Sequence, residues 1–222
     1  MTIPIEVRRA RPAEFDAVAA LLADTYLAEG WATGGYLPVL RDVASRAAQS
    51  LVLVALASGR VVGTVTVATG GGPYAEKAAP GEAVVRMLLT DPALRGRGVG
   101  GALMDAALEA AVADGCARMK LSTQAQMASA HRLYDRLGFV RTPDDDWSPE
   151  PGLTLLAYAL DLPVWCGHCG GRAGPGGEHL ACLQATTLEP PRYCARCRRR
   201  MVVQVTPSGW SARCSAHDTR TG

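Results

Sequence analysis

The sequence predicts an α/β fold, a mixed β-sheet flanked by helices, followed by a small Cys-rich metal-binding module of zinc-ribbon type. Three observations predict it. Segments of strand period and helix period alternate up to Leu162. Beyond Leu162 the helical pattern gives way to Gly, Pro, Cys and Arg. Six of the seven cysteines fall in the last sixty of the 222 residues. The expected division is therefore residues 1–162 and residues 163–222, two unequal domains within the usual range of about 100–200 residues per domain.

The elements follow in order. "IEVRRA" (Ile5–Ala10) alternates and predicts a strand. Pro12 with Glu14 and Asp16 opens a helix that carries Phe15, Val18, Leu21, Leu22 and Tyr26 on one face. A second helical stretch covers about Leu37–Ala48. "LVLVALASGRVVGTVTVAT" gives two β-branched runs joined by Ser58-Gly59-Arg60, a hairpin signal. "GGGPYAEKAAPGE" is a loop by composition. A strand at Ala83–Leu89, a glycine-rich turn, an Ala/Leu helix to about Ala113, a strand at Arg118–Ser122 and a helix at about Ala128–Leu137 come next. The last strands are Phe139–Arg141 and "GLTLLAYALDL", separated by "TPDDDWSPEPG", whose turn residues predict a loop.

Composition narrows the function classes. About half the residues are apolar and a fifth are charged, and no apolar run approaches the ~18 residues of a membrane span, so no membrane association is expected. The N-terminus lacks the basic, apolar and small-residue pattern of an export signal, which places the expected protein in a reducing cytoplasm. In that compartment clustered cysteines point to metal more than to disulfides. Cys116, alone in the first part, reads as a small apolar filler. Charge divides unevenly: residues 1–162 hold 15 Lys/Arg against 18 Asp/Glu, and residues 163–222 hold 8 against 3. The basic tail, with Arg196 and Arg198-Arg199-Arg200, is compatible with an acidic partner, but it is short for a nucleic-acid binder and nucleic acid is not the expected partner. The acidic surplus of the first part, with Asp144-Asp145-Asp146, is compatible with a cationic acceptor.

The clearest chemistry in the first part is "VVRMLLTDPALRGRGVGGALMDAALEA". A strand runs into Arg95-Gly96-Arg97-Gly98-Val99-Gly100-Gly101 and directly into a helix. Gly98 and Gly100 have no Cβ, so backbone can approach a phosphate closely, and the helix N-terminus offers unpaired N–H groups to an anion. The order is not G-x-G-x-x-G and the P-loop Lys-Ser/Thr is absent, so a plain strand-to-helix turn accounts for these glycines equally well.

Two blocks decide between those readings. "RMLLTDPALRGRGVG", followed about thirty residues later by "ASAHRLYDRLGF", resembles the Gcn5-related N-acetyltransferase (GNAT) superfamily across residues 1–162. The superfamily's acetyl-CoA signature, R/Q-x-x-G-x-G/A, is matched by Arg95, Gly98 and Gly100. The resemblance implies a GNAT-like sheet and transfer of acetyl from acetyl-CoA to an unidentified small-molecule or peptide amine. Backbone groups from Arg95 through Gly101 would cradle the pyrophosphate, while Leu88 and Leu89 on a splayed strand would hold the pantetheine and polarise the thioester. Tyr134 matches the tyrosine that protonates the departing thiolate. Glu82 is the candidate general base, with a water chain as the alternative. Many members carry asparagine where this chain has Met127, so Thr123 or Gln124 is expected to supply that cofactor contact.

The tail contains Cys166-x-x-Cys169, His179-x-x-Cys182, Cys194-x-x-Cys197 and Cys214-x-x-His217. Two-residue spacing lets a tight turn aim both side chains at one ion, and two such pairs make one tetrahedral site. C-x₂-C-x₁₆-C-x₂-H has zinc-ribbon spacing, with strand, Pro-Ser-Gly turn and strand between its pairs. C-x₂-C-x₉-H-x₂-C allows a smaller Cys₃His knuckle, and His168 reads as a surface residue. A tail this small, with no evident helix, needs metal to fold. Zinc and an iron–sulfur cluster both suit these ligands, and spacing favours zinc. Residues Cys166–His217 also resemble the actinobacterial biotin synthase auxiliary proteins. That resemblance implies an iron–sulfur module that supports biotin synthase in biotin biosynthesis, with biotin synthase as partner. The rival reading is an acetyltransferase or acyl-CoA-binding domain whose zinc ribbon recruits a protein or nucleic-acid target.

Overall fold

The computed structural model describes residues 4–32, 35–69, 72–75, 77–162, 165–171, 182, 185, 189–195, 197–207, 209–216 and 219–221. These fall into two compact units, Met1–Ala111 with Arg118–Leu160, and Val112–Ala117 with Asp161–Gly222.

The first unit is built on a mixed sheet. Strand β1 (Ile5–Arg9) pairs antiparallel with β2 (Leu51–Ala57), β2 with β3 (Arg60–Thr69), and β3 with β4 (Glu82–Thr90). Beyond β4 lie β5 (Arg118–Gln124), β8 (Leu153–Asp161) and β6 (Val140–Arg141), while β7 (Trp147–Glu150) also pairs with β8. The hairpin turn at Ser58-Gly59 has φ of 50° and 76°, the two left-handed residues that match the twist of the flanking strands. Helices α1 (Phe15–Ala28), α2 (Leu37–Arg41) and α3 (Val43–Gln49) precede the hairpin, α4 (Val99–Ala113) follows β4, and α5 (Ala128–Leu137) follows β5. One core cluster joins Val18 and Leu22 of α1, Leu40 and Val43, and the β2 residues Val52, Val54 and Leu56 with Met87 and Leu89 of β4.

Two expectations change. The predicted helix over 37–48 is two helices, because Asp42 leaves helical conformation (φ −79°, ψ 67°) and its carboxylate accepts the Ser45 N–H at 3.1 Å, restarting the chain as an N-cap. The completely buried Arg46 then turns back to donate to the carbonyls of Val39 (2.9 Å) and Leu40 at the end of α2. The segment 142–152, expected as a loop, contains a 3₁₀ turn at Pro143–Asp145 and the strand β7. Asp146 is the cause. Its carboxylate takes both Arg141 guanidinium nitrogens at 2.8 Å and the Ala157 N–H at 2.7 Å, so Asp146 is tied to the sheet while Asp144 and Asp145 stay exposed.

In the second unit, β9 (Val202–Thr206), β10 (Gly209–Arg213) and β11 (Thr219–Thr221) form a three-stranded antiparallel sheet. The first two strands are those expected, and β11 was not anticipated. The tail is not free of helix either: Cys182 and Ala185 are helical, and the Glu189 N–H reaches the Ala185 carbonyl at 2.8 Å.

Candidate functional site

In the first unit the break in strand β4 sets the geometry. β4 and β5 run parallel, and their ladder ends at Val85↔Leu121 although β4 continues to Thr90 and β5 to Gln124. On the other side the β3–β4 register shifts between Thr64↔Leu89 and Thr66↔Arg86, which sets Met87 and Leu88 against Val65 alone. Met87 takes the strain with φ of 53°. A bulge of this kind re-aims the residues that follow it, here Leu88 and Leu89.

The glycine-rich turn lies just after β4. Asp91 accepts the Ala93 N–H at 2.9 Å and holds a 3₁₀ turn at Pro92–Leu94. The N–H groups of Arg95 and Arg97 are bonded to the carbonyls of Pro92 and Leu94, at 3.4 and 3.3 Å. Gly96 and Gly98 have φ of 76° and 86°. The Gly98 carbonyl receives the Ala102 N–H at 3.0 Å, so Gly98 is the cap residue, and helix geometry leaves the N–H groups of Val99, Gly100 and Gly101 without a helical partner. No acidic side chain occupies the first turn of α4, so its positive end faces any anion uncompensated. Of the seven-residue cradle expected from the sequence, the backbone of Arg95 and Arg97 is thus spent on the turn. The Arg95 side chain pairs with Glu29 at 2.8 Å and stands 5.7 Å over the Trp31 ring.

A cavity of about 480 Å³ opens where β4 and β5 part, within the usual size of small-molecule sites. Its walls include Tyr26, Trp31 and Tyr36 from α1 and the segment after it, Tyr74 and Lys77 from the β3–β4 connection, and Val84–Met87 of β4. Lys120–Gln124, Met127, Asp145, Trp147, Glu150 and Tyr158 complete much of the lining. Thr123 and Gln124, expected to replace the missing asparagine, both line it. Thr123 Oγ1 donates to the Met127 sulfur at 3.5 Å, and Gln124 Nε2 donates to the Trp31 carbonyl at 2.7 Å.

The two proposed acid–base residues differ in placement. Tyr134 is buried on α5, its ring 5.9 Å from those of Phe139 and of the lining residue Tyr158. Burial first, and then the proximity of Tyr158, push its phenol well above the ordinary tyrosine range, so it is fully protonated at neutral pH. Glu82 is not among the lining residues. Its Oε2 accepts the Ala79 N–H at 2.9 Å and pairs with Lys120 at 3.0 Å, and it is Lys120 that reaches the cavity.

The aromatic wall was not legible in the sequence. Trp31, Tyr36, Tyr74 and Trp147 sit in non-periodic segments, and the one available signal was the presence of large rings among turn-forming residues.

In the second unit the cysteines gather into two groups, Cys166 with Cys169 and Cys182, and Cys194 with Cys197 and Cys214, each with its sulfurs within 4.8 Å of one another. His179 and His217, the expected fourth ligands, lie outside the described residues, as does Arg196. The two CxxC loops are built alike. Cys166 N–H donates to the Gly171 carbonyl at 2.7 Å, and the Gly170 N–H returns to the Cys166 carbonyl at 2.9 Å. Cys194 and Arg198 repeat both bonds at 2.8 and 2.9 Å, with Arg199 in the place of Gly171. The residue after each pair is left-handed, Gly170 at φ 69° and Arg198 at φ 62°. The loops also meet: the Gly167 carbonyl accepts the N–H groups of Arg192 and Tyr193 at 2.7 and 2.8 Å. The Gly171 N–H points at the Cys169 sulfur (3.3 Å) and the Ala216 N–H at that of Cys214 (3.5 Å). Burial pushes the Cys182 thiol up to about 11, reinforced by hydrogen bonds with Cys169 and Cys166. Burial also acts upward on Cys166, but the N–H groups of Cys169 and His168 outweigh it and lower that thiol. Three convergent sulfurs of this kind fit a thiophilic metal ion.

Two family profiles match separate stretches of the chain. The profile of the acetyltransferase (GNAT) family matches residues 15–139. That of the biotin synthase auxiliary protein family matches residues 201–221. The biotin synthase auxiliary protein of Mycolicibacterium smegmatis is 48% identical over 60 residues, 27% of this chain and 77% of that protein. The protein of the same name from Mycobacterium tuberculosis is 77% identical over 54 residues, 24% of this chain and 61% of its own length. Among solved structures, a GNAT-family acetyltransferase from Staphylococcus aureus Mu50 superposes with TM-score 0.59 at 15% identity, covering 72% of this chain and 99% of that one. The Salmonella typhimurium yncA structure, determined with its cofactor acetyl-CoA, gives TM-score 0.53 at 21% identity over 71% of this chain and 94% of that one. These structural likenesses are likenesses of fold.

Proposed function

Since the chain belongs to the acetyltransferase (GNAT) family and, through its C-terminal part, to the biotin synthase auxiliary protein family, we propose a two-part protein. Residues 1–162 transfer acetyl from acetyl-CoA to a small amine, and residues 163–222 hold metal in support of biotin synthase. The observation that carries the first reading is the presence of three features in one unit: the N-terminus of α4 free of acidic side chains, the broken β4–β5 ladder and the cavity lined by residues of both strands.

The proposed roles follow from those features. The pyrophosphate is held by the N–H groups of Val99, Gly100 and Gly101, with Gly96 and Gly98 giving the turn its shape and the Arg95 and Arg97 side chains adding charge. Leu88 and Leu89, re-aimed by the bulge at Met87, hold the pantetheine and polarise the thioester carbonyl. Thr123 lines the reacting region. The amine nitrogen attacks the thioester carbon, the C–S bond breaks, and the departing thiolate takes the Tyr134 proton. The proton lost by the amine goes to a lining carboxylate, Asp145 or Glu150, while Glu82 positions Lys120. Tyr134→Phe is expected to lower turnover about 10²-fold with acetyl-CoA affinity unchanged. Thiol release over an amine panel, set beside calorimetry, tests this, and full turnover in the variant would remove Tyr134 as the acid.

For the second part we propose one zinc ion at each thiol group, with His179 and His217 completing the coordination. Tetrahedral zinc with Zn–S bonds of about 2.3 Å spaces its sulfurs about 3.8 Å apart. Cys197 and Cys214 stand 3.6 Å apart, the spacing of two thiolates on one tetrahedral ion. Zinc of this kind organises the unit and carries no redox chemistry. Anaerobic purification followed by iron, sulfide and zinc analysis is expected to give two zinc per chain. Acid-labile sulfide with visible absorption would overturn zinc in favour of a cluster. Stimulation of biotin synthase turnover by the added protein tests the partner, and no stimulation would remove that role.

A further inference from the structure

Half of the rings in this chain line one cavity. The sequence holds four Trp, six Tyr and two Phe, and Tyr26, Trp31, Tyr36, Tyr74, Trp147 and Tyr158 all stand in its wall. They come from α1, the segment after it, the β3–β4 connection, β7 and β8, so only the fold brings them together. Five of the six stay partly exposed and Tyr158 alone is buried, which means that their surface is not spent on the core. The rings also hold one another in place. Tyr26 meets Trp31 edge-on at 5.7 Å and Tyr36 at 6.2 Å, and Trp147 Nε1 donates to Ser122 Oγ at 3.1 Å. Val84, Met87, Leu121 and Leu155 fill the wall between them.

Charge on this wall is matched, not surplus. Its cations Lys77, Arg86 and Lys120 stand against the carboxylates of Asp145 and Glu150, and Glu82, which pairs with Lys120 from outside the lining, makes the numbers even. Lys120 lies 3.0 Å from Glu82 and 3.8 Å from Asp145. Arg86 and Glu150 each have a further partner of their own. Four of the rings already carry a cation on one face: Lys77 over Trp147, Arg86 over Tyr74, Arg95 over Trp31 and Arg141 over Tyr158. A ring so occupied is a poor seat for a second cation, because the two like charges repel across it, but its free surface remains a flat apolar contact. A chamber of this kind selects by shape and apolar area.

We infer that the acceptor is an aralkylamine, an uncharged aromatic body carrying its amine on a short arm. The body lies among the six rings, where offset and edge-on contacts add to the area removed from water. The amine points toward Met87 at the bulge and Thr123, which line the same cavity, with Asp145 and Glu150 in reach of its proton. A polyamine would bring a second cation onto rings that cations already cover, and is disfavoured. The volume, part of which the pantetheine arm would take, limits the body to one or two fused rings.

This inference rests on the acetyl-transfer reading, and the test separates the two. Calorimetry on the full chain, with CoA present as a non-reacting partner, compares 2-phenylethylamine with ethylamine, 2-cyclohexylethylamine, phenylalanine and spermidine. 2-Phenylethylamine is expected to bind at least about ten-fold tighter than ethylamine, the order of burying one ring. It should exceed 2-cyclohexylethylamine about three-fold, the order of one ring–ring contact, and bind tighter than phenylalanine and spermidine. Tyr36→Leu and Tyr74→Leu, at half-buried positions that keep an apolar side chain, are each expected to weaken 2-phenylethylamine about three-fold or more, with ethylamine unchanged. Unchanged acetyl-CoA affinity in each variant reports that it is folded. Equal binding of 2-phenylethylamine and ethylamine, tightest binding of any other member of the panel, no binding at all, or parental binding in both variants overturns the inference. Thiol release from acetyl-CoA is measured on the same panel. Ring-selective binding without thiol release removes the transferase reading and spares the aromatic site, while equal release with ethylamine and 2-phenylethylamine does the reverse.

Discussion

Replacement of Gly63 by alanine tests the link between packing and the cofactor loop. Gly63 lies in β3, between Ala55 and Thr90 of the neighbouring strands. A Cβ there would stand 2.9 Å from Leu103 Cδ1, 2.9 Å from Val99 Cγ1 and 3.0 Å from the Leu89 carbonyl oxygen. None of the three yields easily. Val99 and Leu103 are 1% and 0% exposed, and Leu89 O is backbone. One methyl forced into a closed site costs about 1–3 kcal/mol, and three simultaneous contacts place this change near 2–3 kcal/mol. At about 2–4 °C per kcal/mol for a protein of this size, Tm should fall by roughly 4–12 °C. The transition to follow is the one that acetyl-CoA raises, because ligand stabilises the unit that binds it. Val99 opens α4 and Leu89 follows the bulge, so relief of the clash must move residues proposed to hold acetyl-CoA. A displacement of that kind is expected to weaken acetyl-CoA about ten-fold. Calorimetry reads both quantities. A Tm within about 1 °C of the parent with unchanged affinity would show that the β3–α4 contact does not position the loop.

Three further outcomes are expected. Glu29→Gln should tighten acetyl-CoA by about two- to five-fold, since it releases Arg95 from a surface pair worth up to about 1 kcal/mol; weaker binding in isothermal titration would contradict this. The hydrogen bond from Arg8, opposed by burial and helped by the Arg11 N–H, holds the Glu14 carboxyl at about 2 against its ordinary 4.5. A depressed folded-state value stabilises above pH 4.5 and is lost as pH falls toward 2, so the Tm gap between the parent and Glu14→Gln should close across that window, and a gap that widens there would refute the pairing. Gly170→Ala should loosen the ion at Cys166, Cys169 and Cys182, because the new Cβ meets the Tyr193 ring at 3.0 Å in a left-handed residue. Chelator competition should then release one of two ions faster, and unchanged kinetics would count against the loop geometry.

By itself the sequence determined the features that are local in the chain. Period-two and period-3.6 runs marked most strands and helices, Ser58-Gly59 marked the hairpin, and CxxC spacing marked two loops whose sulfurs converge with a third cysteine, because each signal acts between residues a few positions apart. Asp42 misled, since its capping bond to Ser45 competes locally with a helical pattern that looks continuous. Strand β7 was hidden for a different reason: it depends on Asp146 bridging Arg141 and Ala157, partners that come together only when the sheet forms. Tertiary structure alone decided that Glu82 stays out of the cavity lining while pairing with Lys120, which lines it, that Asp145 is drawn to the same lysine, and that Lys77 and Arg86 stand over Trp147 and Tyr74. These are contacts between segments far apart in sequence, and no local period records them. A side chain's charge can be read from its letter, but whether that charge faces a ligand or a neighbour depends on which chain segment the fold sets beside it.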